Sequence, residues 1–134
     1  MSNLKEAVIK QLGYETNYSF NEFLTKYNDD EFEELKGTLS DIANHGIDGG
    51  FGDFIYYSDT VKFFDDNKDL IIEHLREQAD QFGVSMWEMV NDFKCMNDIV
   101  INDSSEIDSH EYSTTIKNCL AWYAAEEVAR ELTQ

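Results

Sequence analysis

The sequence predicts a mainly α fold: one compact acidic helical domain spanning residues 1–134, with about six helices and a small two-stranded β element. Three observations carry this. Helix-capping residues stand repeatedly just before apolar residues at helical spacing. Proline is absent, so nothing in the chain enforces a helix break by ring geometry. Nine Phe, seven Tyr and two Trp supply large apolar side chains for a core.

Asn3 and Glu6 form a capping-box pair before a helix that Gly13 should end. Ser19 with Glu22 opens a short second helix to Tyr27, and Asn28 with Glu31 opens a third. In that third helix Phe32, Leu35, Leu39 and Ile42 share one stripe, and Gly46 should end it. Residues 46–53 hold four of the seven glycines and read as a loop with Phe51 at its tip. Residues 54–57 read as a short strand or a buried turn, and the β-branched 98–102 as a second short strand able to pair with them. Between them, Ser58 opens a helix over 59–66, Asn67 opens one over 68–82 stopped by Gly83, and Ser85 with Glu88 opens one to about Lys94. Asp108 with Glu111 opens the longest helix, from about His110 to Leu132, with Tyr112, Ile116, Cys119, Leu120 and Tyr123 on one face.

Charge narrows the function. Asp and Glu total 28 against 10 Lys and Arg, a formal net charge of −18. A small domain needs a net charge of roughly 2–8 for solubility, and the excess costs self-repulsion. The imbalance sits in the folded middle: residues 28–66 carry −9 and residues 67–111 carry −8. Such a surface suits basic partners and repels phosphates. At micromolar protein and physiological salt, duplex DNA and RNA are therefore expected to run unshifted in a gel; a retarded band would contradict this.

The sharpest pattern lies in residues 68–82. At about 100° per residue, Asp69, Glu73, Glu77 and Asp80 form one stripe, while Leu70, Ile71, Leu75, Ala79 and Phe82 take the other side. Like charges at i,i+4 destabilise a helix by roughly 0.2–0.5 kcal/mol per pair, so a row of them is kept against a cost. Carboxylates about 6 Å apart resemble one edge of a phosphate backbone. The plainer reading is a solvated face. The bias recurs at Asp29, Asp30, Glu33 and Glu34, at Asp65 and Asp66, and over residues 103–111. The candidate partner-binding residues are Asp69, Glu73, Glu77 and Asp80, with Asp29, Asp30, Glu33, Glu34, Asp65, Asp66 and Phe51.

Other chemistry finds little support. Asp65, Asn67 and Asp69 begin like a calcium loop, but Leu70 and Arg76 stand where its Gly and bidentate Glu belong. The glycine loop lacks the Lys-Ser/Thr of a phosphate cradle. His45, His74 and His110 have no ligand-spaced companion, so no metal or cofactor is expected. No nucleophile with a base and an orienting group is visible; Glu127, on the face of Tyr123, reads as escaping to solvent. Cys95 and Cys119 lack metal or redox spacing and read as reduced thiols. No apolar run is long enough to span a bilayer and the N-terminus does not resemble a signal peptide, so the expected location is cytoplasmic. Trp87, Met89, Phe93 and Trp122 are more large apolar surface than a small domain readily hides, and they suggest a homodimer.

Residues 44–60 (NHGIDGGFGDFIYYSDT) and 120–131 (LAWYAAEEVARE) resemble a family of small, functionally unassigned proteins of tailed phages and prophages. By charge and size, the chain is also similar to phage antidefence proteins: nucleic-acid mimics that inhibit restriction enzymes, and anti-CRISPR proteins. The likeness implies a non-enzymatic inhibitor whose acidic surface blocks a basic host nucleic-acid-binding protein. The rival expectations are a structural or oligomeric phage component and a small enzyme with an unrecognised site.

Overall fold

Eight consecutive residues near the C-terminus, 119–126, are all buried. A helix buried on every side over two turns has to lie at the centre of its domain. The computed structural model, which describes residues 3–11, 33–49 and 57–133, shows this arrangement. Its helices are α1 (Asn3–Gln11), α2 (Glu33–Gly49), α3 (Tyr57–Asp66), α4 (Lys68–Phe82), α5 (Met86–Asn91), α6 (Ser105–Ser109) and α7 (Ser113–Thr133), with a 3-10 turn η1 (Lys94–Met96). Among the described residues, helix accounts for 81% and no strand occurs, so the mainly α class holds.

Helix α7 packs against α2 and α3 most extensively, and also meets α1, α4, α6 and η1. Ala121, Ala124, Ala125 and Ala129 on α7 are fully buried, and their small side chains let neighbouring helices approach closely. Leu39 and Ile42 of α2, Phe63 and Phe64 of α3, and Leu4 and Val8 of α1 fill the space around them. The sequence pattern shows one apolar face on this helix; alanine, which marks no face strongly, conceals the rest.

Helix α4 has the predicted boundaries. Ile71, Ile72, Leu75 and Ala79 are buried on one side. Gly83 ends it at φ 68° in the left-handed region, where its N–H donates to the Asp80 carbonyl and the Val84 N–H to the Ala79 carbonyl. This pair of bonds is a Schellman ending, which favours glycine at that position. Phe82, placed on the apolar side by its spacing, is 66% exposed, since the chain leaves the helix there.

Several boundaries differ from expectation. Helix α2 continues past Gly46 to Gly49. The long C-terminal helix begins only at Ser113, because His110 is extended at ψ 146° and separates it from α6. Tyr112 therefore precedes the helix and is half-exposed rather than facing the core. The capping-box bonds fall at Asp103 and Glu106: the Asp103 carboxylate accepts from the Ser105 N–H, and the Glu106 carboxylate from the Asn102 and Asp103 N–H groups.

Residues 98–102 form no strand. Asn91 takes both backbone groups of Ile101, donating to its carbonyl at 2.9 Å and accepting its N–H at 3.0 Å. The side-chain amide supplies what a neighbouring strand would have supplied. Asn97 and Asp98 turn the loop at φ 56° and 67°, a conformation these residue types tolerate. Residues 54–56 of the other expected strand, the expected helix over 19–27 and the start of the third at 28–32 lie outside the described residues.

Cys95 and Cys119 are joined in a disulfide, with Cα atoms 5.4 Å apart, which corrects the expectation of free thiols. Packing of η1 on α7 creates this pair across 24 residues of chain; spacing alone gives no sign of it.

Candidate functional site

The exposed side of α4 forms one wall of an open groove of about 540 Å³. It is lined by Lys68, Asp69, Ile72, Glu73, Arg76, Glu77, Asp80 and, from the loop before α6, Ser104. Three to four residues separate successive carboxylates of the Asp69, Glu73, Glu77, Asp80 row, so all four fall on one side. The row runs about 16 Å along the helix, at 1.5 Å per residue. All four residues are exposed, whereas Ile72 beneath them is only 9% exposed.

The protein itself uses many of its other acids but not this row; among the described residues Asp41, Glu88, Asp92, Asp98 and Glu111 are also unpaired, but none of them lines the groove. Asp65 and Asp108 both receive Lys117 at 2.8 Å, and Lys68 reaches Asp108 at 3.1 Å. Asp66 pairs with Lys62 at 2.5 Å, Glu33 with Lys36 at 3.5 Å, and Glu131 with Lys5 at 3.0 Å. Glu126 and Glu127 share Arg130. Asp103 and Glu106 cap α6. Among the described residues, Asp69, Glu73, Glu77 and Asp80 have neither an ion pair nor a hydrogen bond, and Arg76 in their midst has no ion pair.

The structure thus divides the acids grouped by sequence. It gathers Asp69, Glu73, Glu77 and Asp80 on one groove. Asp65, Asp66 and Glu33 are engaged in ion pairs elsewhere. Asp29, Asp30 and Phe51 lie outside the described residues, as does the side chain of Glu34.

The Asp65–Lys117–Asp108–Lys68 network gives one end of the groove a fixed, nearly balanced charge. Hydrogen bonds from Lys117 and then Lys68 hold the Asp108 carboxyl below its ordinary value of 3.8. The bonds to Asp108 and then Asp65 hold the Lys117 ammonium above its ordinary 10.5. A lowered acid stabilises the fold above its unfolded pKa and loses that contribution as pH falls through the folded value. The stability gap between wild type and Asp108→Asn is therefore expected to persist at about pH 7 and close below 3.8. Asp108 is 57% exposed, so the gap should be modest. Urea midpoints measured across pH check this. A raised base behaves in the opposite sense: Lys117 contributes below 10.5 and loses its contribution as pH rises through the folded value.

Sequence reasoning missed Glu126, which is 6% exposed on α7 and bonded to Arg130 at 2.5 Å. Its neighbour Glu127, the carboxylate singled out from the pattern, is partly buried and bonds Arg130 at 3.3 Å. Burial, and then Glu127, push the Tyr123 phenol well above its ordinary value of 10.0. Phe93 stacks on Tyr123 at 4.7 Å, and the His74 ring lies 6.1 Å from it. His74 Nε2 is buried without a hydrogen-bond partner. Neither His74 nor Glu127 lines the groove.

The aromatic residues suggested for a dimer seam lie against the chain's own core. Trp122 is 8% exposed, and Trp87, Met89 and Phe93 are partly buried and packed against the core cluster. Among the described residues, the large apolar side chains that face outward are Phe82, Val84, Val100 and Tyr112. No three potential metal ligands converge among the described residues, and none of the helices there is long and apolar enough to cross a membrane.

Residues 4–134 match a family described as a domain of unknown function, DUF7222. The chain belongs to that family. No curated protein and no solved structure matches it. Membership spans the groove and the central helix alike but brings no activity with it.

Proposed function

We propose that this DUF7222 chain is a non-enzymatic inhibitor of phage origin, whose α4 groove occupies the nucleic-acid site of a basic bacterial protein. A restriction enzyme or a CRISPR effector is the partner class. The supporting observation is the row Asp69, Glu73, Glu77 and Asp80, which stands on an open groove without internal partners while other acids are spent on ion pairs and caps. Within a chain holding only ten bases, four neighbouring carboxylates with no ion pair, offset only by Arg76 and Lys68 on the same groove, keep a negative field available to an outside cation.

In the complex, Lys and Arg side chains that otherwise grip phosphates grip the row. Counterions held by the row and by the partner are released, so affinity falls as salt rises. Ile72, at the floor of the groove, gives an apolar contact that helps fix the register.

The test is capture of partners from a bacterial lysate on immobilised protein, eluted in turn with salt and with duplex DNA. The expected result is a nucleic-acid-binding protein retained at low salt and displaced by DNA. Retention of partners that DNA does not displace would remove the mimicry reading.

A further inference from the structure

The disulfide is strongly asymmetric. Cys119 is fully buried on α7, whereas Cys95 on η1 is only partly buried. A thiolate must reach a sulfur along the S–S axis to exchange with it, so access decides which sulfur is attacked. Of the two residues, Cys95 alone is not fully buried.

Its surroundings also select the attacker. Asp92 and Asp98, both exposed, stand three residues either side of Cys95 in the sequence, Lys94 stands next to it, and the whole chain carries −18. A field of that sign repels an anionic thiol and favours one bearing an ammonium group.

We propose that Cys95 is a thiol-exchange site for small cationic thiols. The incoming thiolate bonds to Cys95 Sγ, the Cys95–Cys119 bond breaks, and Cys119 leaves as a buried thiolate that takes up a proton. A second thiol then attacks the small-molecule sulfur of the mixed disulfide and releases Cys95. Two thiols are oxidised to one disulfide, and the protein disulfide is reduced to two thiols. The loop opened in this way stays pinned at its ends by the Asn91–Ile101 bonds and by buried Val90, Met96 and Ile101. Loosening is therefore confined to residues 92–100. This assignment is independent of the acidic-groove reading.

Three measurements test it. Oxidised wild-type protein is treated with cysteamine or glutathione, quenched in acid and mapped by mass spectrometry. The expected adduct is on Cys95, and an adduct on Cys119 would overturn the proposal. Second, Cys119→Ala and Cys95→Ala proteins are each treated with cystamine, native and in urea. Cys95 of the first should react in the native state, while Cys119 of the second should react only in urea. Equal native rates would refute the asymmetry, and the wild-type mapping stands even if a variant folds poorly.

Third, the cysteamine and glutathione rates on wild type are each divided by that thiol's rate on hydroxyethyl disulfide. The ratio should favour cysteamine by roughly tenfold at low salt and approach one at high salt. A ratio of one throughout would remove the selectivity for cations. Hydrogen exchange after reduction should speed up within 92–100 only; a global increase would contradict the pinned ends.

Discussion

Phe64→Ala is expected to lower the unfolding free energy by about 3–5 kcal/mol, the usual cost of deleting a buried aromatic ring. Phe64 is 0% exposed and heads the fully buried side chains by volume. It stands on α3, which packs on both α7 and α4, so the cavity opens where three helices meet. A domain of this kind has about 5–15 kcal/mol in all, so the variant is left marginal. Its melting temperature should drop by roughly 10–20 °C. Phe82→Ala is the matched control: the same atoms leave a 66% exposed site, and the change should stay within about 0.5 kcal/mol. Urea unfolding of both variants measures the contrast. Similar losses would mean that the core is not where the fold puts it.

Reducing the Cys95–Cys119 disulfide should cost about 3 kcal/mol, the expected loss for a closed loop of this length. The link closes the chain across 24 residues and ties η1 to the central helix. The gain acts on the unfolded chain, so it should appear as a shift of the urea midpoint between oxidised and reduced wild type. The native helical signal should hardly change, since Val90, Met96 and Ile101 stay buried without the link. Equal midpoints would show that the pair does not constrain the unfolded chain.

Local signals predict α4 well. Asn67 and Gly83 mark its ends, and its apolar spacing names three of its four buried residues. Even there the mechanism differs, for the Asn67 amide donates to the Phe63 carbonyl rather than capping α4. The break at His110 is less legible, because Asp108 and Glu111 imitate a helix start. Asp103 and Glu106 carry the same signature five residues earlier, and packing of buried Ile107 favours that pair. A strand over residues 98–102 is a reasonable reading of β-branched residues, but a side chain ten positions away along the chain settles their hydrogen bonds.

The site is half-legible for a related reason. Periodicity places Asp69, Glu73, Glu77 and Asp80 on one side of a helix, since that depends on α4 alone. Which acids are consumed internally depends on tertiary neighbours. Lys117 reaches Asp65 from 52 positions away, and Lys68 reaches Asp108 from 40. Composition weighs all the acids equally; among the described acids proposed for binding, the α4 row combines a groove with the absence of internal pairing, whereas Glu33, Asp65 and Asp66 are paired.

The central claim is that free carboxylates on α4, not total acidity, bind a basic partner. The most direct test measures the affinity of Glu73→Gln/Glu77→Gln for the captured partner across a salt series, beside Asp65→Asn/Asp66→Asn. Each double change removes two charges. The first keeps side-chain size and relieves repulsion of roughly 0.2–0.5 kcal/mol, so its fold should be no less stable. The account predicts weaker binding for the Gln variant and a log–log salt slope shallower by roughly one unit per carboxylate removed, with a smaller change for the Asn variant. Unchanged affinity and slope for the Gln variant, or equal losses for both, would contradict it.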